Sequence, residues 1–191
     1  SGNGAQIRTF TIPVDGSAVT TVYTLKHLSG SNQGYWNSLI ALDADTYVLA
    51  FMDSGSDGWL KTFTVSADGG TLTQVADLEH DTDGGSHNSL VKVDANTVAL
   101  AYAGSGNNGY IKTFTIPSSG ATITQVKKLE HDNKRGEHNS LSKISGGTDS
   151  YVLAYAGHDT DVGSAYDGFI KTFTIPADGS TVTQTYVLEH D

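Results

Sequence analysis

The feature that most constrains this chain is an internal repeat of about 50 residues. The motif KTFT or RTFT occurs four times, and a histidine follows the basic residue of each copy after 19 residues. The motif NSL occurs three times at a spacing of 51 residues. The basic residues are Arg8, Lys61, Lys112 and Lys171, the histidines are His27, His80, His131 and His190, and the NSL asparagines are Asn37, Asn88 and Asn139. A repeat of this length predicts one supersecondary unit per copy, which buries its apolar faces only against neighbouring copies.

Each repeat predicts four β-strands joined by short turns. In the second complete copy NSLVKVD alternates, TVALAYAG is a short apolar run, GYIKTFTIP alternates again, and TITQVKKLEHD is the most polar strand and so the expected outer edge. Four antiparallel strands in about 50 residues have the size of a β-propeller blade. We therefore predict an all-β, single-domain propeller over 1–191. Its units are an N-terminal half-blade of two outer strands at 7–28 and blades at 36–81, 87–132 and 138–191.

The segments DGWLKTFTV, NGYIKTFTI and DGFIKTFTI give the repeat a resemblance to the tryptophan–aspartate (WD40-like) propellers. The Trp-Asp pair that ends the third strand of those repeats is missing here, and Phe63, Phe114 and Phe173 stand near the usual tryptophan. The chain looks more like repeats of large secreted or surface proteins of bacteria. That resemblance implies binding more than catalysis, and an extracellular or cell-surface location.

Composition narrows the possible functions. The net charge of −10 repels a phosphate backbone, so we expect no nucleic-acid partner. No apolar run reaches the roughly 20 residues of a membrane helix, so we expect no membrane insertion. The chain has no cysteine, and it contains no G-x-S-x-G, H-E-x-x-H or phosphate-loop motif. On this basis we predict no catalytic residues and no enzyme.

The count of strands predicts association. Three blades and a half-blade would form an open arc with two exposed apolar faces, which few soluble monomers tolerate. We expect a homodimer whose two arcs share one ring, although both half-blades then lack the same two inner strands.

The repeated histidines and asparagines have a structural and a functional interpretation. In the structural one, which we favour, they join neighbouring blades by bonding backbone groups and capping turns. In the functional one, equivalent residues of several blades line one end of the ring and bind carbohydrate, with aromatic rings stacking on sugars and avidity gained by repetition. The candidate ligand-binding residues are Trp36, Asn37, His87, Asn88, His138 and Asn139. We predict a non-catalytic binding or adhesion scaffold, with a lectin as one such function. The alternative is a structural spacer that binds no ligand.

Acidic loops raise the question of calcium. Asp residues cluster with glycine at 53–58, 81–85 and 158–168. None of these loops has the spacing of a complete calcium loop, and Asp-Gly is ordinary hairpin chemistry. We therefore assign no metal or cofactor residues, with Ca²⁺ as the cation to test. The 158–168 loop is an insertion that breaks the repeat, and we expect it to be a solvent-exposed loop without a function. If the protein were a hydrolase or lyase, this loop would have to contribute to the active site.

Overall fold

The computed structural model describes residues 4–29, 33–158 and 166–190, and in these ranges the regular structure is β-strand apart from one 3₁₀ turn at Ser105–Asn107. The all-β prediction is confirmed. One sheet holds β1 (Gln6–Thr11) and β2 (Thr20–Lys26), and the next holds β3 (Tyr35–Ala41), β4 (Thr46–Met52), β5 (Gly58–Val65) and β6 (Leu72–Asp81). A third holds β7 (Ser86–Asp94), β8 (Thr97–Ala103), β9 (Gly109–Thr115) and β10 (Thr124–Asp132). The last holds β11 (Glu137–Lys143), β12 (Ser150–Gly157), β13 (Asp167–Thr174) and β14 (Thr183–His190).

Each sheet is a simple antiparallel meander in chain order. In the three four-stranded sheets the polar strands β6, β10 and β14 form one edge, as predicted, and β3, β7 and β11 form the other. The strands β3, β7 and β11 lie side by side, so the three sheets converge there. In the described part of the chain, no helix is long and apolar enough to cross a membrane.

The core consists of layers between successive sheets. Every residue of β8 is buried, because one face of its sheet packs on the sheet before it and the other on the sheet after it. One apolar layer joins Val48 and Leu60 to Leu100 and Phe114, and the next joins Ile111 to Leu153. At roughly 1.5–3 kcal/mol for each large apolar side chain, these layers supply the energy that a single sheet could not collect.

Two hydrogen bonds repeat at each of the three joints between sheets. The ammonium groups of Lys61, Lys112 and Lys171 donate to the backbone carbonyls of the histidines that end the preceding outer strands, His27, His80 and His131. The hydroxyls of Thr9, Thr62 and Thr113 donate to the carbonyls of Gly69, Gly120 and Gly179, in the hairpin turn of the following sheet, at 2.7 Å each. The lysine, histidine, threonine and glycine of the repeat are therefore parts of one joint.

Two glycines make the joint possible by close approach of backbone. A Cβ on Gly85 would lie 2.3 Å from the Cα of Gly58, and one on Gly136 would lie 2.2 Å from the Cα of Gly109. Both contacts are with backbone, which cannot rotate away, so these positions require glycine.

Candidate functional site at the inner strands

The candidate ligand-binding residues come together where the inner strands β3, β7 and β11 begin. Trp36, His87 and His138 occupy equivalent positions one repeat apart, and all three have a left-handed backbone, with φ of 54–55°. Each lies in a β-bulge, where the register of the inner strand shifts against its neighbour. A bulge re-aims a side chain, and here it turns three rings toward a common point.

This backbone conformation is costly. A left-handed residue with a Cβ costs roughly 1–2 kcal/mol, and bulky residues are true outliers there. Glycine would adopt the same conformation without strain. The repeat nevertheless places a tryptophan or a histidine at all three positions, and strain of this kind concentrates at functional sites.

The three rings form one cluster. The ring centroids of Trp36 and His87 lie 3.8 Å apart, and those of His87 and His138 lie 4.4 Å apart in an edge-to-face arrangement. With Asn37, Asn88 and Asn139 they line a cavity of about 300 Å³, which we call the inner-strand site. All six candidate residues that sequence reasoning selected are thus in one place.

The asparagines hold the bulges in shape. The Asn88 side-chain amide donates to the carbonyls of Gly85 at 2.6 Å and Trp36 at 3.1 Å, and the Asn139 amide donates to Gly136 at 2.7 Å and His87 at 3.2 Å. The turn-capping role predicted for them is confirmed. Among the described residues, nothing donates to the Oδ1 atoms of Asn88 and Asn139, which are buried behind the surface of the site.

His87 has a charged neighbour that sequence reasoning missed. Its Nε2 lies 4.0 Å from the Glu137 carboxylate, which also pairs with Arg135 at 3.5 Å. Burial lowers the pKa of His87, the adjacent His138 lowers it further, and Glu137 partly opposes them. His87 is therefore neutral at pH 7. The available signal was the break in the repeat at Glu137, which replaces Ser86 and Tyr35 of the other copies.

The histidines of the joints differ from those of the inner-strand site. We expected their rings to bond neighbouring backbone, but the rings of His80 and His131 are buried against aromatic side chains, and in the described chain they have no hydrogen-bond partner. Burial, with the lysine beside each ring, lowers the pKa of both to about 3. The predicted bonds from the rings are therefore absent, and the backbone carbonyls of His80 and His131 accept from the lysines of the next sheet instead.

The acidic loops follow turn chemistry. Asp53 Oδ1 accepts from the backbone N–H of Gly55 and Asp57 at 2.8 and 3.1 Å, and Asp81 Oδ1 accepts from the backbone N–H of Asp83 at 3.2 Å. Within the described ranges no group of three or more His, Cys, Asp or Glu is placed to hold a metal ion. Most of the 158–168 loop, at 159–165, lies outside the described residues.

Solved structures of the same architecture place the chain among the β-propellers. A putative 6-phosphogluconolactonase of Bacteroides fragilis superposes with a TM-score of 0.64 at 15% identity, over 97% of this chain and 52% of that one. An α-L-arabinofuranosidase of Fusarium graminearum gives 0.59 at 10% identity, over 99% of this chain and 59% of that one. Sqt1 of Saccharomyces cerevisiae gives 0.56 at 13% identity, over 96% and 41%. Identities this low establish the fold alone.

The chain spans about half the length of these similar structures. No protein-family model and no curated protein matches its sequence.

The prediction of a non-catalytic scaffold, and of no enzyme, is wrong. Two of the three similar structures described above are named as enzymes, a lactonase and an arabinofuranosidase. We inferred the absence of catalysis from the absence of short sequence motifs. A propeller draws its site from single residues on successive inner strands, which are about 50 residues apart in the sequence, so a short motif cannot report on it.

Proposed function

We propose that this chain is a sugar-lactone hydrolase, or the part of one that carries the reacting groups, with its active site at the inner-strand site. The observation that carries the proposal is the strained backbone at Trp36, His87 and His138. Three residues at roughly 1–2 kcal/mol each are a cost that packing alone does not require, since glycine would remove it. The imidazoles they bring together can transfer protons, and the indole can pack on an apolar face of a substrate.

His87 is the proposed general base. It is neutral at pH 7, so it can take a proton from a water molecule as the water oxygen attacks the lactone carbonyl carbon. The ring C–O bond then breaks, and the imidazolium returns the proton to the departing alkoxide oxygen, so the net reaction consumes one water. Glu137, 4.0 Å from Nε2, stabilises the imidazolium between these steps.

Trp36 and Asn37 are the proposed substrate-binding groups. Trp36 is half-exposed and offers an apolar ring face to the C–H face of a sugar ring. Asn37 is exposed, so its side-chain oxygen is available to accept a hydrogen bond from a sugar hydroxyl. Asn88 and Asn139 contribute by holding the bulges that carry the rings.

The substrate class follows from charge and from the similar structures. A lactonase among those of the same fold supports lactone chemistry. Glycoside hydrolysis normally uses two carboxylates, and in the described part of the site we identify only Glu137. The net charge of −10 disfavours a phosphorylated substrate, so we propose an uncharged lactone of a sugar acid.

The test is hydrolysis of a panel of aldonolactones, followed by acid release at constant pH. The His87→Gln variant removes the base while keeping a polar side chain of similar size, and we expect a loss of about 10²–10⁴-fold in kcat. Tyr186→Phe is the control, because Tyr186 is 61% exposed on the outer strand β14 and does not line the inner-strand site. Wild-type rates no higher than those of buffer, or equal rates for the two variants, would overturn the proposal.

Three further features belong to the proposal. We propose that residues 1–191 act as a single domain, that the repeat forms a lineage separate from the WD40 propellers, and that the protein works outside the cell or at its surface. The phenylalanines in place of the usual tryptophan support the second. Detection of the protein in the culture medium or on intact cells with a specific antibody would test the third.

A further inference from the structure

The last sheet has one covered and one open face. The side chains of β12 alternate between buried and partly exposed, whereas every residue of the equivalent β8 is buried. The open face carries Val152, Ala154 and Ile170, whose counterparts Ala99, Ala101 and Ile111 are fully buried by the next sheet. Leu188, on the same face, is 47% exposed. We call this surface the tail face.

A hydrogen-bonding group on the tail face also lacks its usual partner. Thr172 is the counterpart of Thr9, Thr62 and Thr113, which donate to a glycine carbonyl of the following sheet. Thr172 instead exchanges a 2.7 Å hydrogen bond with Thr185, on its own sheet. The tail face therefore presents one half of the joint that the chain builds three times.

The complementary half is at the other end of the structure. Phe10, Ile12 and Val19, on β1 and in the loop that follows it, are 49%, 62% and 65% exposed. Their counterparts Phe173, Ile175 and Val182 are 1%, 0% and 6% exposed, because the preceding sheet covers them. We call this surface the head face.

The turn of the head face has the conformation of its bonded counterparts. Gly16 has a φ of 68° and its N–H donates to Pro13, as Gly120 does to Pro117 and Gly179 to Pro176. A Cβ on Gly120 or Gly179 would meet threonines of the preceding sheet at 3.0–3.4 Å, whereas one on Gly16 would meet nothing within 4 Å. The Gly16 carbonyl is thus the acceptor that Thr172 would use in a joint.

We propose that the tail face of one copy of this chain binds the head face of a second copy, and that the reciprocal contact closes a ring of two chains. Thr172 then donates to Gly16 of the partner copy, and Phe10 and Ile12 cover the apolar residues of the tail face. The occupant is a second copy because the head face carries, at equivalent positions, the outer-strand and turn residues that the joints already present use. The proposal is independent of the proposed function.

The contact makes a specific prediction for two single substitutions. Ile12→Asp places a charge on the head face, and Ile170→Asp places one on the tail face. In a ring of two chains each contact joins one head to one tail, so either variant alone should be a monomer of 20.1 kDa, while the wild type has twice that mass. An equimolar mixture retains one intact contact per pair and should recover the doubled mass at higher concentration.

The measurement is light scattering after size exclusion, over a hundredfold range of concentration. Val75→Asp is the control, because Val75 is 38% exposed on the outer strand β6 and lies on neither face. Circular dichroism verifies that each variant is folded. A monomeric wild type, a ladder of higher masses, loss of the dimer by only one of the two face variants, or a mixture that stays monomeric would each overturn the proposal.

Discussion

The joints between sheets occur in two versions within this chain. The difference between them predicts that the tyrosine and the aspartate of one version are energetically coupled. At the second joint the Tyr102 hydroxyl donates to Asp81 at 2.7 Å, and Asp81 also pairs with Lys112 at 3.6 Å. The third joint repeats this arrangement with Tyr155, Asp132 and Lys171. At the first joint Phe51 and Leu28 replace the tyrosine and the aspartate together, and Lys61 bonds Gln74 at 3.0 Å instead.

The single substitutions at the second joint should be costly. Tyr102→Phe removes a hydrogen bond to a charged group, which is worth about 1.5–3 kcal/mol. Asp81→Leu leaves the buried Lys112 ammonium without its carboxylate, a loss of about 3–5 kcal/mol. Burial raises the pKa of Asp81, but hydrogen bonds from Tyr102 and Asp83 outweigh it and hold the pKa below its usual value. The carboxylate is therefore charged at neutral pH.

The double variant recreates the apolar first joint. Once Asp81 is leucine, the Tyr102 hydroxyl has no acceptor, so removing it as well costs little. We expect the double variant to be more stable than the sum of the single losses by about 1–3 kcal/mol. Urea unfolding of the four proteins, followed by tryptophan fluorescence and circular dichroism, measures the cycle. If the losses in free energy of unfolding of the two single variants simply add up in the double variant, Tyr102 and Asp81 are not coupled, and the two versions are not alternative ways of building the same joint.

Three other predictions follow from the site and the joints. Burial lowers the pKa values of His27, His80 and His131 to about 4, 3 and 3, from 6.5 in the unfolded chain. The stability that these neutral rings contribute is therefore complete above pH 6.5 and is lost as the pH falls toward 4, at about 1.4 kcal/mol per pH unit for each histidine. Urea midpoints that stay constant from pH 7 to 5 would contradict this prediction. The Cβ of Gly85→Ala would lie 2.3 Å from the Gly58 backbone, so this variant should lose about 4 kcal/mol or more of the free energy of unfolding. The Cβ of Gly55→Ala would meet only the side chains of Asp53 and Asp57 at 3.1 Å, so this control should lose about 1 kcal/mol. Equal melting temperatures would exclude the close-approach argument. Burial lowers the pKa of His87, so kcat/KM for lactone hydrolysis should stay constant as the pH falls past 6.5 and should decrease only at lower pH. A decrease of kcat/KM with its midpoint above pH 6.5 would exclude His87 as the base.

The repeat made much of the fold predictable. Strand type and strand order follow from local signals, namely alternation, β-branched residues and Asp-Gly turns, and these recur in register from copy to copy. The edge position of β6, β10 and β14 was visible in their polarity. The six residues of the inner-strand site were selectable because equivalent positions of a radial repeat must lie around one axis.

Other properties were decided only by the tertiary structure. The left-handed backbone at Trp36, His87 and His138 depends on a bulge against the neighbouring strand, which no local propensity encodes. The approach of Glu137 to His87 joins different sheets, and so do the bonds from lysine to histidine carbonyls. The chain thus specifies its strands through contacts near in sequence, while its chemistry arises from side chains about 50 residues apart that meet only after the sheets have packed.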